Sequence, residues 1–329
     1  MSAVSSPLAI QKVVIGNDLW PNAVQSVKDR FPDLDIVLET DSKKIDQHLG
    51  DADAYTGFRL SSEQLDAAGQ LKWVHALSAG VEHWIGAGIA DRDILLTNSS
   101  GVHATNISEH VFAMLLSFAR QLPALQRSQD KRQWRDNENF REAIFEVAGQ
   151  SMAIVGTGAI GTAVATRAKA FGMTTVGVRR NADSPAPEGI DDQITFGDLK
   201  GRLGDIDHVV ICLPMTDDTA GLFDADMLAA MKPGSYFFNI GRGGIVDQDA
   251  LIQHLHAGHI AGAGLDVATP EPLPADSPLW DAPNTIITAH TSGNTPKYGE
   301  RALKLFGDNL QALIDGREPE NVVDVSAGY

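Results

Sequence analysis

The ten residues "MAIVGTGAIG", Met152 to Gly161, narrow the fold more than any other stretch of the chain. An apolar run leads straight into Gly156, Gly158 and Gly161 in GxGxxG spacing, and helix-forming residues follow. A strand that turns at once into a helix through that spacing is the phosphate-binding corner of a βαβ unit. Each glycine has its own reason: a tight turn at Gly156, close backbone approach to a pyrophosphate at Gly158, and helix–strand packing at Gly161. N–H groups at the helix start, where Ala159 and Ile160 stand, hold the anion.

The flanking sequence continues the pattern. After the motif come "TTVGV", "HVVICL", "SYFFNI", "AGAGLDV" and "TIITA"; before it come "KVVIG", "DIVLE", "AYTGF", "WVHALS" and "ILLTN", with amphipathic segments between them. Repeated βα units predict two parallel sheets flanked by helices. At 329 residues the chain exceeds the ~100–200 typical of one domain, so two units are expected. "ATNISEHVFAMLLSFARQLPALQRSQ" reads as a long helix interrupted near Pro123, and Pro296 to Asp315 as another.

Charge limits the partners. Lys plus Arg total 26 against 43 Asp plus Glu, a formal charge of −17, which repels nucleic acid and anionic membrane surfaces. No apolar run reaches the ~18 residues of a membrane span, and "MSAVSSPLAI" lacks the basic and apolar regions of a signal peptide. Cys212 is the single cysteine and reads as a core thiol, which suits a reducing compartment. A cytoplasmic location is expected.

The second strand of the motif's unit ends in "TTVGVRRNAD". In an NAD site an acid roughly 20 residues into the motif bonds the ribose 2′-hydroxyl, whereas arginine accommodates the 2′-phosphate of NADP. Arg179 and Arg180 therefore favour NADP(H) over NAD(H), the bland alternative being two solvated surface arginines.

Together with the dinucleotide motif, "NIGRGGIVD", "GAGLDVATPEPLP" and "TAHTSG" make nearly the whole chain resemble the D-isomer-specific 2-hydroxyacid dehydrogenase family. Its members include glyoxylate/hydroxypyruvate reductases, D-lactate dehydrogenases and phosphoglycerate dehydrogenases, and NADPH-dependent 2-oxo acid reductases are the nearest in look. The resemblance implies two doubly wound α/β domains, a Rossmann dinucleotide-binding domain at 105–293 and a discontinuous flavodoxin-like substrate domain at 1–104 and 294–329. The active site then lies in the cleft, with two chain crossings as its hinge. It further implies catalytic Arg242, Glu271 and His290, and cofactor contacts from Leu213, Pro214, Thr219, Ile240 and Asp266, the last reaching the nicotinamide amide. Backbone around Ala79, Gly80 and Val81 in "HALSAGVEHW" meets the substrate carboxylate by the same carry-over. The "QRSQDKRQWRDNENF" stretch resembles the family's dimerisation arm and implies a homodimer, in which Trp134 either approaches the neighbouring active site or packs at the interface. Formate dehydrogenases of the superfamily carry glutamine where Glu271 stands, which argues against that activity.

The three catalytic residues also make chemical sense by themselves. A 2-oxo acid offers a carboxylate beside a carbonyl, and the planar fork of Arg242 can bond both while staying cationic. Carbonyl reduction needs a hydride at carbon and a proton at oxygen, and histidine titrates near neutrality, so His290 can supply the proton. A carboxylate behind the ring, Glu271, favours imidazolium and orients it. The bland alternatives are a loop cap for Arg242, an exposed acid for Glu271 and a satisfied core histidine for His290. Pocket shape is expected to depend on Tyr55, Phe58, Leu77, Tyr298 and Trp134. Two further functions fit the same sequence: a dinucleotide-sensing interaction protein of the same fold, and a dehydrogenase of another small anion such as phosphite.

Two features are set aside. His254, His256 and His259 of "HLHAGH" lie at a helix end before Gly258, where solvated imidazoles facing the helix dipole are expected rather than a metal site. Asn98-Ser99-Ser100 and Asn106-Ile107-Ser108 match the glycosylation pattern but have no meaning in a cytoplasmic chain.

Overall fold

The alternation of strand and helix holds along the chain, in a computed structural model that describes residues 7–16, 20–41, 43–134 and 143–325. It divides into two units: residues 1–102 with 295–329, and residues 103–294.

In the first unit β1 (Lys12–Ile15), β2 (Asp35–Leu38), β3 (Ala54–Gly57), β4 (Trp73–Ala76) and β5 (Leu95–Asn98) form a parallel sheet in the order β2-β1-β3-β4-β5. That is the flavodoxin order. Side chains alternate across it: Val13, Ile15 and Trp73 pack with the helix Tyr298–Ile314, while Val14, Tyr55 and Val74 pack on the other face with Trp84. Trp73 and Phe306 stack at 5.0 Å between ring centroids. Phe306 is fully buried, so its truncation to alanine should cost about 3–5 kcal/mol.

The second unit contains β6 (Ser151–Val155), β7 (Thr174–Val178), β8 (Asp192–Ile194), β9 (His208–Ile211), β10 (Ser235–Asn239), β11 (Ile260–Leu265) and β12 (Thr285–Ile287). Their order, β12-β11-β10-β9-β6-β7-β8, is a doubly wound Rossmann sheet with one strand added at the β12 edge. Ala153, Val155, Val209 and Phe237 face one core, and Met152, Ile154, Val210 and Phe238 the other. Every strand in both sheets pairs in parallel, so all loops that follow strands emerge on one edge of each sheet. That edge is where open α/β sheets bind ligands.

Two elements differ from expectation. β8 has no counterpart in the sequence reading, because its three residues include one acid and bury only Ile194. The long helix is two, Ala104–Ala119 and Leu122–Asp130; Gln121 breaks it with φ +54°, and Pro123 sits in the first turn of the second helix, where proline is tolerated. Among the described residues no helix is long and apolar enough to cross a membrane.

Candidate active site

The three glycines of the dinucleotide motif sit in three different environments. Gly156 has φ +99°, and a Cβ there would lie 2.9 Å from the carbonyl oxygen of Cys212 and 2.8 Å from Leu213. At Gly161 a Cβ would come within 2.0 Å of the Gly156 carbonyl oxygen. Nothing lies within 4 Å of a Cβ at Gly158, which is exposed beside the first turn of the helix Ala159–Ala170. The first and third glycines answer to the protein's own packing; the second leaves the open approach that a diphosphate needs. Gly156 N donates to Val178 O at 2.9 Å, so the end of β7 lies beside this turn and Arg179 and Arg180 follow it directly. Arg179 donates to Pro185 O at 3.4 Å, and Arg180 pairs with Asp218 at 3.3 Å. The latter pair is exposed, and such a pair contributes little to stability. Leu213 and Thr219 are buried in the loop after β9, where Thr219 Oγ1 donates to Pro214 O at 2.8 Å; Pro214 itself is exposed.

Arg242, Asp266 and His290 follow β10, β11 and β12, three adjacent strands of one sheet. Asn239, buried at the end of β10, ties the first loop: its Nδ2 donates to Arg242 O and its Oδ1 accepts from Gly241 N, both at 3.0 Å. Ile240 is buried beneath it, and Arg242 Nη1 donates to Gly241 O at 2.9 Å. A Cβ at Gly243 would lie 2.0 Å from Ala268 O, so the first loop rests on the second. Gln248 Nε2 donates to Thr269 O and Gln248 Oε1 accepts from Thr269 N, each at 3.0 Å, which holds the second loop to the helix Gln248–His256.

Glu271 uses its two oxygens differently. Oε1 accepts from Ala268 N at 3.1 Å, and Oε2 lies 2.7 Å from His290 Nδ1. A carboxylate only accepts, so Nδ1 carries the hydrogen and Nε2 is left for chemistry. Side-chain exposures of 51% for His290 and 37% for Glu271 make this an orienting contact more than a stabilising one. His75 is the opposite case: buried in β4 between Thr97 Oγ1 (2.8 Å) and Ser99 Oγ (3.1 Å), it is pushed down to about 3 by burial and stays neutral.

The His290 loop is conformationally costly. Ala289 and His290 have φ of +49° and +56°, a region that costs a residue other than glycine about 1–2 kcal/mol. Asp266 offsets that cost. Only 2% exposed, it accepts from Thr288 Oγ1 at 2.6 Å, Thr291 N at 2.9 Å and Ser292 N at 3.1–3.2 Å, while its carbonyl accepts from His290 N at 2.6 Å. Burial is the largest single influence on this carboxyl and acts to raise it, but the hydrogen bonds from Ser292, Thr288 and Thr291 together hold it below the usual aspartate range. Asp266, expected from sequence to contact the nicotinamide, also organises the histidine loop.

In the other unit the loop after β4 is shaped by Ser78 Oγ, which donates to Gly80 O at 2.6 Å, and by Asn98 Nδ2, which donates to Ala79 O at 2.8 Å. Ala79 is exposed, Gly80 half-buried, and Val81 buried as the N-cap of the short helix Glu82–Gly86. Of the residues expected to shape a pocket, Tyr55, Leu77 and Tyr298 are buried in the core instead, Tyr55 on one face of a sheet that is covered on both and the other two on the opposite face. Phe58 is partly exposed and stacks on Tyr298 at 6.5 Å. Trp134 is 98% exposed, and residues 135–142 of the expected dimerisation arm lie outside the described residues.

The features set aside acquire structural accounts. Asn98 is buried and hydrogen-bonded, and Asn106 Nδ2 donates to Ser292 O at 2.7 Å, so both sequon asparagines are engaged inside their units. His254 and His259 are half-buried and pack at 5.1 Å rather than facing solvent as expected; His256 is exposed. Among the described residues no group of three or more His, Cys, Asp or Glu side chains could hold a metal ion. Cys212 is partly buried against the core, and burial pushes its thiol up to about 12.

Sequence reasoning missed Asn239 and Gln248. The signal was present for Asn239, a polar residue closing an apolar strand one step before the arginine loop; Gln248 looks like any helix-start residue.

Comparison with known proteins agrees with this arrangement. Residues 112–292 match the family model described as D-isomer specific 2-hydroxyacid dehydrogenase, NAD binding domain. The chain is 31% identical to D-3-phosphoglycerate dehydrogenase of Mycobacterium bovis over 98% of its own length, and spans 60% of that relative's length. It is 31% identical to glyoxylate/hydroxypyruvate reductase B of Pectobacterium carotovorum, with 82% of this chain and 84% of the relative aligned. The NADPH-dependent glyoxylate/hydroxypyruvate reductase of Sinorhizobium meliloti, solved with NADP and sulfate, superimposes with a TM-score of 0.81 at 27% identity, covering 97% of this chain and 100% of that one.

Proposed function

The chain belongs to the D-isomer specific 2-hydroxyacid dehydrogenase family, and from that premise we propose that it reduces a small 2-oxo acid to the D-2-hydroxy acid with NADPH. The observation that carries the proposal is the 2.7 Å contact of His290 Nδ1 with Glu271, which leaves Nε2 open at the edge of the sheet that also carries Arg242. Arg242 binds the carboxylate and carbonyl of the substrate as a unit. N–H groups of the Ala79, Gly80 and Val81 loop are further candidate donors to a carboxylate. A dinucleotide held at the glycine turn would supply hydride-donor chemistry. His290 Nε2–H gives its proton to the carbonyl oxygen as that oxygen gains charge, and Glu271 holds the ring in line throughout. In the oxidative direction neutral Nε2 takes the hydroxyl proton back.

Gly156, Gly158, Ala159, Ile160 and Gly161 hold the diphosphate, and Leu213, Pro214, Thr219 and Ile240 line the cofactor's path. Arg179 and Arg180, one strand away from the glycine turn, receive the 2′-phosphate; the NADP complex of the Sinorhizobium meliloti reductase supports that reading. A homodimer in a reducing cytoplasm completes the proposal, with exposed Trp134 covered by the partner.

A panel of 2-oxo acids assayed with NADPH and NADH tests the reaction. Activity with NADPH should exceed that with NADH by roughly tenfold or more in kcat/KM, and Arg179→Asp should reverse the order. Equal kcat/KM for both cofactors would remove the arginines from the reading, and inactivity on every 2-oxo acid would remove the reaction.

A further inference from the structure

The loop that carries His290 is gripped from behind by a helix that takes no part in the proposed chemistry. Ala104–Ala119 buries Ile107, Val111, Met114 and Leu115, but Asn106 and His110, four residues apart and so on one face, are half-buried polar residues. Both reach the loop. Asn106 Nδ2 donates to Ser292 O at 2.7 Å, and His110 Nε2 lies 2.9 Å from Thr288 Oγ1. The hydroxyl of Thr288 has one hydrogen, and it goes to Asp266 Oδ1 at 2.6 Å, a carboxylate oxygen. Oγ1 must therefore accept from His110, whose Nε2 carries the hydrogen. A directed chain results: His110 to Thr288, Thr288 to Asp266, with the N–H groups of Thr291 and Ser292 also converging on Asp266.

These contacts close on Thr288 and Ser292, the two residues that bracket the loop. Between them stand Ala289 and His290 at φ +49° and +56°, neither of them glycine. Such a conformation persists only where surrounding contacts over-determine it. If the bracket loosens, the backbone can leave the left-handed region, and the imidazole then turns away from Glu271.

We propose that His110 and Asn106 are positioning residues for the reduction: they hold the two ends of the loop Thr288–Ser292 so that His290 keeps Nδ1 on Glu271 and Nε2 toward the substrate. The inference rests on the proposed role of His290 as proton donor. His110 acts through Thr288, and Asn106 through the carbonyl of Ser292; neither touches the reacting atoms.

The test uses the full chain with His110→Ala, His110→Gln, Asn106→Ala, Thr288→Val and, as reference, His290→Ala. His110→Ala and Thr288→Val should each lower kcat by about 10- to 100-fold, the scale of a small misplacement of a catalytic group, while the Kd of NADPH by fluorescence changes by less than about threefold. His110→Gln, which returns a donor to Thr288, should recover kcat to within about threefold of the unmodified protein, and Asn106→Ala should fall between. The double variant His110→Ala/Thr288→Val should be no worse than the poorer single one, because both cut the same chain. With 13C-labelled histidine, the Cε1–H signal of His290, identified by its loss in His290→Ala, should shift or broaden in His110→Ala without any substrate present. If His110→Ala keeps kcat within about twofold and leaves that signal unmoved, or if glutamine does not rescue, the inference is overturned and His110 is packing alone. If His290→Ala itself keeps full kcat, the proposed reaction scheme falls first and the inference with it.

Discussion

Two loops of the same unit solve one backbone problem in opposite ways. After β6 the chain needs a positive φ and gets it from a glycine, Gly156 at +99°, in a turn where a side chain would also strike Cys212 and Leu213. After β12 it needs two consecutive positive φ values and takes them from Ala289 and His290, with the deficit made up by Asp266 and its hydrogen bonds. The difference follows from the task. In the proposed reaction the first loop brings backbone close to an anion, for which no side chain is needed; the second presents an imidazole, so glycine cannot serve. A functional side chain in a strained position has to be supported from elsewhere in the fold.

Four substitutions separate the two loops, the most damaging first. His290→Ala should lower kcat by about 10²–10⁴ with little change in dinucleotide affinity, because it removes the proposed proton donor and leaves the glycine turn alone. Steady-state kinetics beside fluorescence titration would separate the two. Gly156→Ala should do the reverse, destabilising the unit by about 2–4 kcal/mol through backbone strain and overpacking and weakening NADPH binding. A melting temperature within a degree of the unmodified protein would contradict the local account of that turn.

Asp266→Asn comes next, at about 1–3 kcal/mol near neutral pH, since an amide cannot accept from every donor around it. The sign of its pH dependence is set by a folded carboxyl held below its ordinary range. Its contribution is fully present above the ordinary aspartate value of about 3.9 and is lost as pH falls through the lower folded value. The melting-temperature gap between Asp266→Asn and the unmodified protein should therefore be flat from pH 7 to 5 and shrink below about pH 4. Ala289→Gly should do least, within about 1 kcal/mol, because relief of the left-handed strain is offset by the greater freedom of an unfolded glycine. A large loss of stability from that substitution would mean that the alanine methyl itself packs against the loop's surroundings.

Most strands were legible because their signal is local. All five strands of the first sheet and six of the seven in the second stand out as apolar runs between turn residues; β8 does not, since its short segment "DQI" forms only by pairing with β7. Arg242, Glu271 and His290 could be named from their motifs, and the structure brings Glu271 and His290 into contact. Tyr55 and Leu77 were expected at a pocket and lie in the core on opposite sides of the sheet, because packing covers both of its faces and no local pattern announces that. Asn106 and His110 were read as part of a long helix with apolar residues at helical spacing, and Asn106 otherwise only as a sequon of no consequence. Their partners Ser292 and Thr288 are distant in sequence, 186 and 178 residues away, and no local pattern marks such pairs.

By itself the sequence determined the repeated βα architecture, the glycine turn and the residue types able to move a proton and bind a carboxylate. Those depend on periodicity, on backbone freedom and on side-chain chemistry, all of which act over a few residues. Only the tertiary structure decided that Asp266 turns its carboxylate to the loop Thr288–Ser292 and that a helix far upstream holds both ends of that loop. The physical reason is that a strained loop is stabilised by whatever donors and acceptors the packed strands and helices bring to it, and their arrival depends on the whole unit having folded.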